Sequence, residues 1–189
     1  MLDLIQYIDT QLFYFINVTC ANPVTDYVMP FITDTKNWHI FFFIMWFAMV
    51  FNGGKRGKIA AVMIIICVIV SDQTSSTLIK NLVERIRPCN ALQGVHLLVN
   101  CTGSFSFPSS HAVNNFAGAF VLSHFFKEYR FAIYLSATLV ALSRIFVGVH
   151  YPFDVFGGMI IGTAIGFILI YLWKSLNKYL KIDYQKKQV

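Results

Sequence analysis

Long apolar stretches separated by short polar connections dominate the chain. Five of them read as membrane-crossing helices, at roughly 38–51, 58–79, 109–126, 131–148 and 152–173. The first is shorter than the roughly 20 apolar residues of a straight crossing. The third is diluted by Ser109, Ser110, His111, Asn114 and Asn115. Ahead of them, residues 2–18 set Leu2, Ile5, Ile8, Leu12 and Phe15 against Asp3, Gln6 and Asp9 at near-helical spacing. That pattern fits an amphipathic helix lying on the interface. It also fits a tilted sixth span running on towards Phe31. The stretch has neither a basic n-region nor a small-residue cleavage site, so it does not read as a signal peptide. No internal repeat, low-complexity segment or extra soluble domain interrupts the pattern. The expected fold is therefore all-α: a polytopic membrane helix bundle, with residues 1–189 forming one membrane-embedded domain.

Composition supports this reading. Of the 189 residues, 57% are hydrophobic and 13% charged, and mean hydropathy is +0.61. A water-soluble chain of this size has too little polar surface to cover so apolar a mass, so the bilayer is its solvent. The 19 Phe and 9 Tyr suit rings that face lipid and line its interfaces. A net charge of +6 would suggest nucleic acid in a soluble protein. Here the basic residues fall in loops and the tail, where membrane topology accounts for them, and no nucleic-acid partner is expected.

Those basic residues also orient the bundle. Lys55, Arg56 and Lys58 share one loop, and Lys127 and Arg130 share another. Lys174, Lys178, Lys181, Lys186 and Lys187 lie in the tail. By parity of the spans, these ten of the 15 basic residues lie on one face, which the positive-inside rule makes cytoplasmic. Lys36, Lys80, Arg85, Arg87 and Arg144 fall on the other.

Three short clusters carry the chemistry. Lys80 ends the second run, and Arg87-Pro88 follows after six residues. Lys offers a point charge and Arg a planar fork, both suited to phosphate oxygens. Simple snorkelling to headgroups explains such cations equally well. Pro108-Ser109-Ser110-His111 opens the third run. Pro and Ser there are ordinary cap chemistry, but a helix N-terminus also binds anions, and His111 in its first turn could protonate a leaving oxygen. Ser143-Arg144 closes the fourth run, followed by His150 and, four residues on, Asp154. A carboxylate that accepts one ring N–H fixes the imidazole tautomer and frees the other nitrogen as a nucleophile. A purely structural His–Asp pair is the alternative. Arg, His and Asp so close together at the membrane edge are costly, which favours function.

In this order and spacing the clusters resemble the type 2 phosphatidic acid phosphatase family, the lipid phosphatase superfamily that shares its site with vanadium haloperoxidases. Its pattern is K-x6-RP, PSGH and SR-x5-H-x3-D. The chain matches the first and third fully and has Ser110 where the second has Gly. The resemblance implies roles. His150 would attack phosphorus, Asp154 would orient it, and His111 would act as general acid and then as base. Lys80, Arg87, Ser109, Arg144 and the Ser110 amide would hold the phosphate oxygens. It implies no cofactor. With no Mg²⁺-type carboxylate cluster in the sequence, no metal is expected either. It further implies a multi-pass protein of a bacterial cytoplasmic membrane, with its site facing outward. The partner would be a lipid phosphate drawn laterally from the bilayer: undecaprenyl diphosphate, phosphatidylglycerol phosphate, phosphatidic acid or the 1-phosphate of lipid A. Two other readings stay open, a lipid phosphotransferase and a non-catalytic lipid-binding or transport protein; oligomeric state is left undetermined.

Asp72, Ser76 and Lys80 recur every four residues and share a helix face; Asp72 reads as a structural partner inside the bundle. Asn114 and Asn115 read as interhelical hydrogen-bonding groups, and His39, His96 and His124 as interface or loop residues. Of four Cys, Cys20 and Cys67 stand alone. Cys89 and Cys101 share the loop 88–108 on the outward side, where a disulfide persists if formed; the alternative is two free thiols.

Overall fold

The structure, a computed structural model, describes residues 2–182; Lys186 and Lys187 of the basic tail lie outside them. Its helices are α1 (Leu2–Tyr14), α2 (Pro23–Thr33), α3 (His39–Asn52), α4 (Gly54–Asp72), α5 (Lys80–Val83), α6 (Pro88–Ala91), α7 (Ser110–Phe125), α8 (Arg130–Phe146) and α9 (Pro152–Leu180). Among the described residues there is no strand. A π-helical turn, Gln73–Ile79, joins α4 to α5 as one rod, and a second, Phe15–Thr19, extends α1.

Among the described residues, three stretches are long and apolar enough to span a bilayer alone: Gly54–Ala91, Lys127–Phe146 and Pro152–Leu180. The 14 residues of α3 and the 16 of α7 rise only about 21 and 24 Å, less than a hydrocarbon core of about 30 Å. The rod and α9 both outrun the apolar runs that predict them. Lys55, Arg56 and Lys58 are helical, as are Lys174 and Lys178, because long basic side chains carry their charge to water while the backbone stays helical. Arg56 meets Glu128 at 2.8 Å and lies over the Phe126 ring, so the two basic connections share one end of the bundle.

Helix α7 is the central post, packed by α4, α8 and α9. Its contact with α9 is set by Gly158, Gly162 and Gly166, one every four residues. A Cβ at Gly162 would lie 2.2 Å from the Val113 carbonyl oxygen. Small residues at this spacing let two backbones touch, which lipid-embedded helices need because hydrophobicity does not drive them together.

Helix α1 turns a narrow stripe containing Asp9 and Phe13 inward, while Asp3 and Gln6 stay exposed. Leu4, Ile5, Ile8 and Leu12 are exposed, while Asp9, Phe13 and Asn17 are fully buried. The expectation that Asp9 belongs to a water-facing side is thus corrected: its hydrogen-bond partners are inside the protein. Asn17 shows the same logic. Its amide donates to the carbonyls of His96, Ile145 and Phe146 and accepts from the His96 N–H, tying the first segment to the end of α8.

Candidate active site

The α4–α5 rod ends where Glu84 adopts a left-handed conformation (φ 52°) and its N–H closes on the Lys80 carbonyl, a standard way to stop a helix. The chain then turns back, and Pro88 restarts it at the first position of α6. Lys80 and Arg87 are buried at this bend. Arg87 donates through Nε to the Ser104 carbonyl (2.7 Å), through Nη2 to Ser104 Oγ (2.9 Å) and through Nη1 to the Val149 carbonyl (3.1 Å). Its Nη1 also lies 3.1 Å from His150 Nε2.

Helix α8 delivers His150 through a turn at Gly148, whose φ of +85° disfavours any side chain. The N–H groups of Val149 and His150 both reach the Arg144 carbonyl. Because a guanidinium only donates, His150 Nε2 must present its lone pair to Arg87, and the ring proton sits on Nδ1. Nδ1 faces Asp154 Oδ2 at 3.6 Å, beyond hydrogen-bond length, with the Ser106 hydroxyl at 3.4 Å. Ser106 donates to the same carboxylate oxygen, so its own oxygen can accept from Nδ1. Asp154 therefore holds the imidazole largely through Ser106, a residue outside all three motifs. Burial pushes the His150 imidazole down to about 3, against the opposing pull of Asp154, so the ring is neutral at pH 7.

Helix α7 brings the remaining motif. Ser109 precedes it, but its hydroxyl makes no cap bond and is buried without a hydrogen-bond partner. Ser110 Oγ lies 3.1 Å from Ser76 Oγ. The His111 ring is hydrogen-bonded to the Thr33 backbone, and Arg144 donates through Nη1 to the Thr33 hydroxyl. The buried Arg144 Nε has no partner. Lys80, Arg87 and Arg144 are close enough to repel one another, and His111 feels all three. Two donors left unmatched among three cations form a cradle for an anion, since buried polar atoms are otherwise almost always paired. The eight motif residues given roles in the sequence reading thus belong to one cluster. Among the described residues, no three His, Cys, Asp or Glu side chains gather as a metal-ligand set.

Several residues in this cluster escape the sequence reading. Arg85 donates to Asp154 Oδ1 at 2.7 Å and to Asp9 Oδ2 at 2.6 Å, and stacks over the Tyr151 ring. Asp9 also accepts from the Phe153 N–H at 2.8 Å. The signals were an Arg two positions before Arg87 and an acid in an otherwise lipid-compatible helix. Ser104, Ser106 and Thr33 gave none. Asn114 does bridge helices, donating to Asp72, whereas Asn115 turns back onto the His111 carbonyl within α7. His96 meets Asp26 at 2.9 Å. Cys89 and Cys101 are joined as a disulfide, 12 residues apart, linking α6 to the loop that leads into α7.

Comparison with known proteins agrees with this architecture. The model of the PAP2 superfamily matches residues 56–178. The lipid A 4'-phosphatase of Bacteroides thetaiotaomicron is 30% identical over 97% of this chain and 84% of its own length. An undecaprenyl-diphosphatase of Sulfolobus acidocaldarius is 29% identical over 74% of this chain, which spans 66% of that protein. The crystal structure of Aquifex aeolicus LpxE superposes with a TM-score of 0.70 at 28% identity, covering 87% of this chain and 95% of that one. An integral membrane bundle with one cationic, two-histidine cluster, and a match over most of its length, make this chain a member of the PAP2 superfamily.

Proposed function

We propose that this protein is a membrane lipid phosphatase that cleaves a lipid phosphate or diphosphate through a phospho-histidine on His150. The observation that carries this reading is the lone pair of His150 Nε2, aimed at Arg87 beside Lys80 and Arg144. Phosphoryl transfer asks a protein mainly to position the reactants and to spread charge over the phosphoryl oxygens. Lys80, Arg87, Arg144 and Ser109 suit that task. In the first step the Nε2 lone pair forms a bond to phosphorus as the bond to the lipid oxygen breaks. His111, protonated once the bound phosphate's negative charge offsets the three cations beside it, gives its proton to that oxygen. In the second, water attacks phosphorus and passes a proton to His111, and the P–N bond breaks to release phosphate. The Nδ1 proton stays with the ring, held by Ser106 and Asp154. Mere headgroup binding needs the cations alone, so two histidines and a buried carboxylate favour an enzyme over a carrier.

Lipid A phosphate and undecaprenyl diphosphate head the substrate panel, because relatives named for them align over most of this chain. The basic end of the bundle lies opposite the site, which supports a site opening away from the cytoplasm. The test is phosphate release in detergent from lipid A, undecaprenyl diphosphate, phosphatidylglycerol phosphate and phosphatidic acid. His150→Ala is expected to abolish release while lipid still binds, and the wild type is expected to trap acid-labile phosphate on His150. Near-normal release by the variant would overturn the assignment.

A further inference from the structure

The polar groups of the cradle continue down the α4–α7 contact into the membrane. Ser110 Oγ meets Ser76 Oγ at 3.1 Å, and Ser76 donates to Asp72 Oδ1 at 3.2 Å. Asn114 Nδ2 donates to that same oxygen at 3.2 Å. Among the described residues no donor reaches Asp72 Oδ2, and Asn114 Oδ1 is buried with no partner. Asp72, Ser110 and Asn114 are half-buried and Ser76 is exposed, so the patch is open at one side. Lys80 lies within electrostatic reach of Asp72.

An interhelical clasp accounts for the paired oxygen, Asp72 Oδ1, but not for the acceptors left unmatched beside it, and an ionisable group at this depth is costly enough to imply a use. What the patch leaves unmatched are acceptors, a carboxylate oxygen and an amide oxygen. Acceptors repel phosphate but capture O–H and N–H groups. Ser110 and Asn114 flank His111 on α7, the helix from which the leaving oxygen would be protonated, so the alcohol half of the substrate would lie against this patch.

We infer that Asp72 and Asn114 form a subsite for hydroxyl or amide donors on the leaving alcohol, selecting sugar or glycerol phosphates over prenyl phosphates. This rests on the phosphatase reading above. Hydrogen bonds to a charged partner support about 10- to 100-fold discrimination. The test compares kcat/KM on lipid A or phosphatidylglycerol phosphate with kcat/KM on a prenyl diphosphate, in wild type, Asp72→Leu and Asn114→Ala. Wild type is expected to favour the hydroxylated lipids. Each variant is expected to lose about 10-fold or more on them and to keep prenyl turnover, which also reports that the variant is folded. Equal losses on both substrates would mean that Asp72 only tunes the cradle through Lys80, and would overturn the inference. So would a wild type that prefers the prenyl substrate. Should Asp72→Leu fail to fold, Asp72→Asn preserves the shape and removes the charge, and an unchanged substrate ratio in it counts against the subsite. A wild type that cleaves no lipid phosphate at all overturns the phosphatase reading itself, and the subsite with it.

Discussion

Replacing Arg85 by Met tests how the buried carboxylate of Asp154 is held. Asp9 and Asp154 are both fully buried, and one guanidinium bridges them at 2.6 and 2.7 Å. Met keeps much of the volume and removes the charge, so two buried carboxylates lose their cation together. Removing one partner of a buried ion pair typically costs about 3–5 kcal/mol. Asp9 would keep only the Phe153 N–H, and Asp154 the Tyr151 N–H and the Ser106 hydroxyl. In a chain of this size that loss lowers the melting temperature by roughly 6–20 °C, at about 2–4 °C per kcal/mol. Thermal unfolding in detergent measures it. Adding Asp9→Asn to Arg85→Met removes one of the two orphaned charges, so the double variant is expected to melt higher than Arg85→Met alone. Arg85→Lys, a point charge that cannot fork between two carboxylates, is expected to fall between wild type and Arg85→Met. On activity, Arg85 acts through Asp154, so kcat is expected to fall more than KM rises. An Arg85→Met protein that melts within about 2 °C of wild type, a shift worth no more than about 1 kcal/mol, with kcat intact, would show that the bridge holds nothing.

Three further outcomes are expected. Turnover survives EDTA and is inhibited by orthovanadate, which mimics five-coordinate phosphorus on His150; activity lost in chelator and restored by Mg²⁺ would contradict a cradle built from Lys80, Arg87 and Arg144. Since His150 titrates near 6.5 when unfolded and at about 3 in the native protein, the unfolded chain binds the extra proton in between. Stability therefore falls as pH drops from 6.5 towards 3, by up to about 1.4 kcal/mol per unit; His150→Gln should flatten that slope in pH-resolved melting curves, and an unchanged slope would assign it to other groups. Cys89 and Cys101 close a 12-residue separation, so Cys89→Ser should cost about 3 kcal/mol on the loop-entropy argument, and thiol labelling should find neither residue reactive before reduction.

Much of this protein is decided locally and is visible in the chain. Lipid solvates apolar helices, so hydropathy alone locates α3, α7 and α8 to within two residues, and finds the α4–α5 rod and α9 while stopping short of their basic ends. Lys80, Arg87, His111, Arg144, His150 and Asp154 stand at fixed intervals beside helix ends, because they converge on one small cluster from elements whose geometry is regular. What joins the elements is not local. Arg85 meets an aspartate 76 residues away, Arg144 meets Thr33 across 111, and Ser106 comes to Asp154 from a loop without periodicity. Asp9 looks like a water-facing residue because a pattern gives the period of a helix but not which side its neighbours occupy. In a membrane the apolar side can be the outer one, and only packing against the bundle decides that the acid points inward.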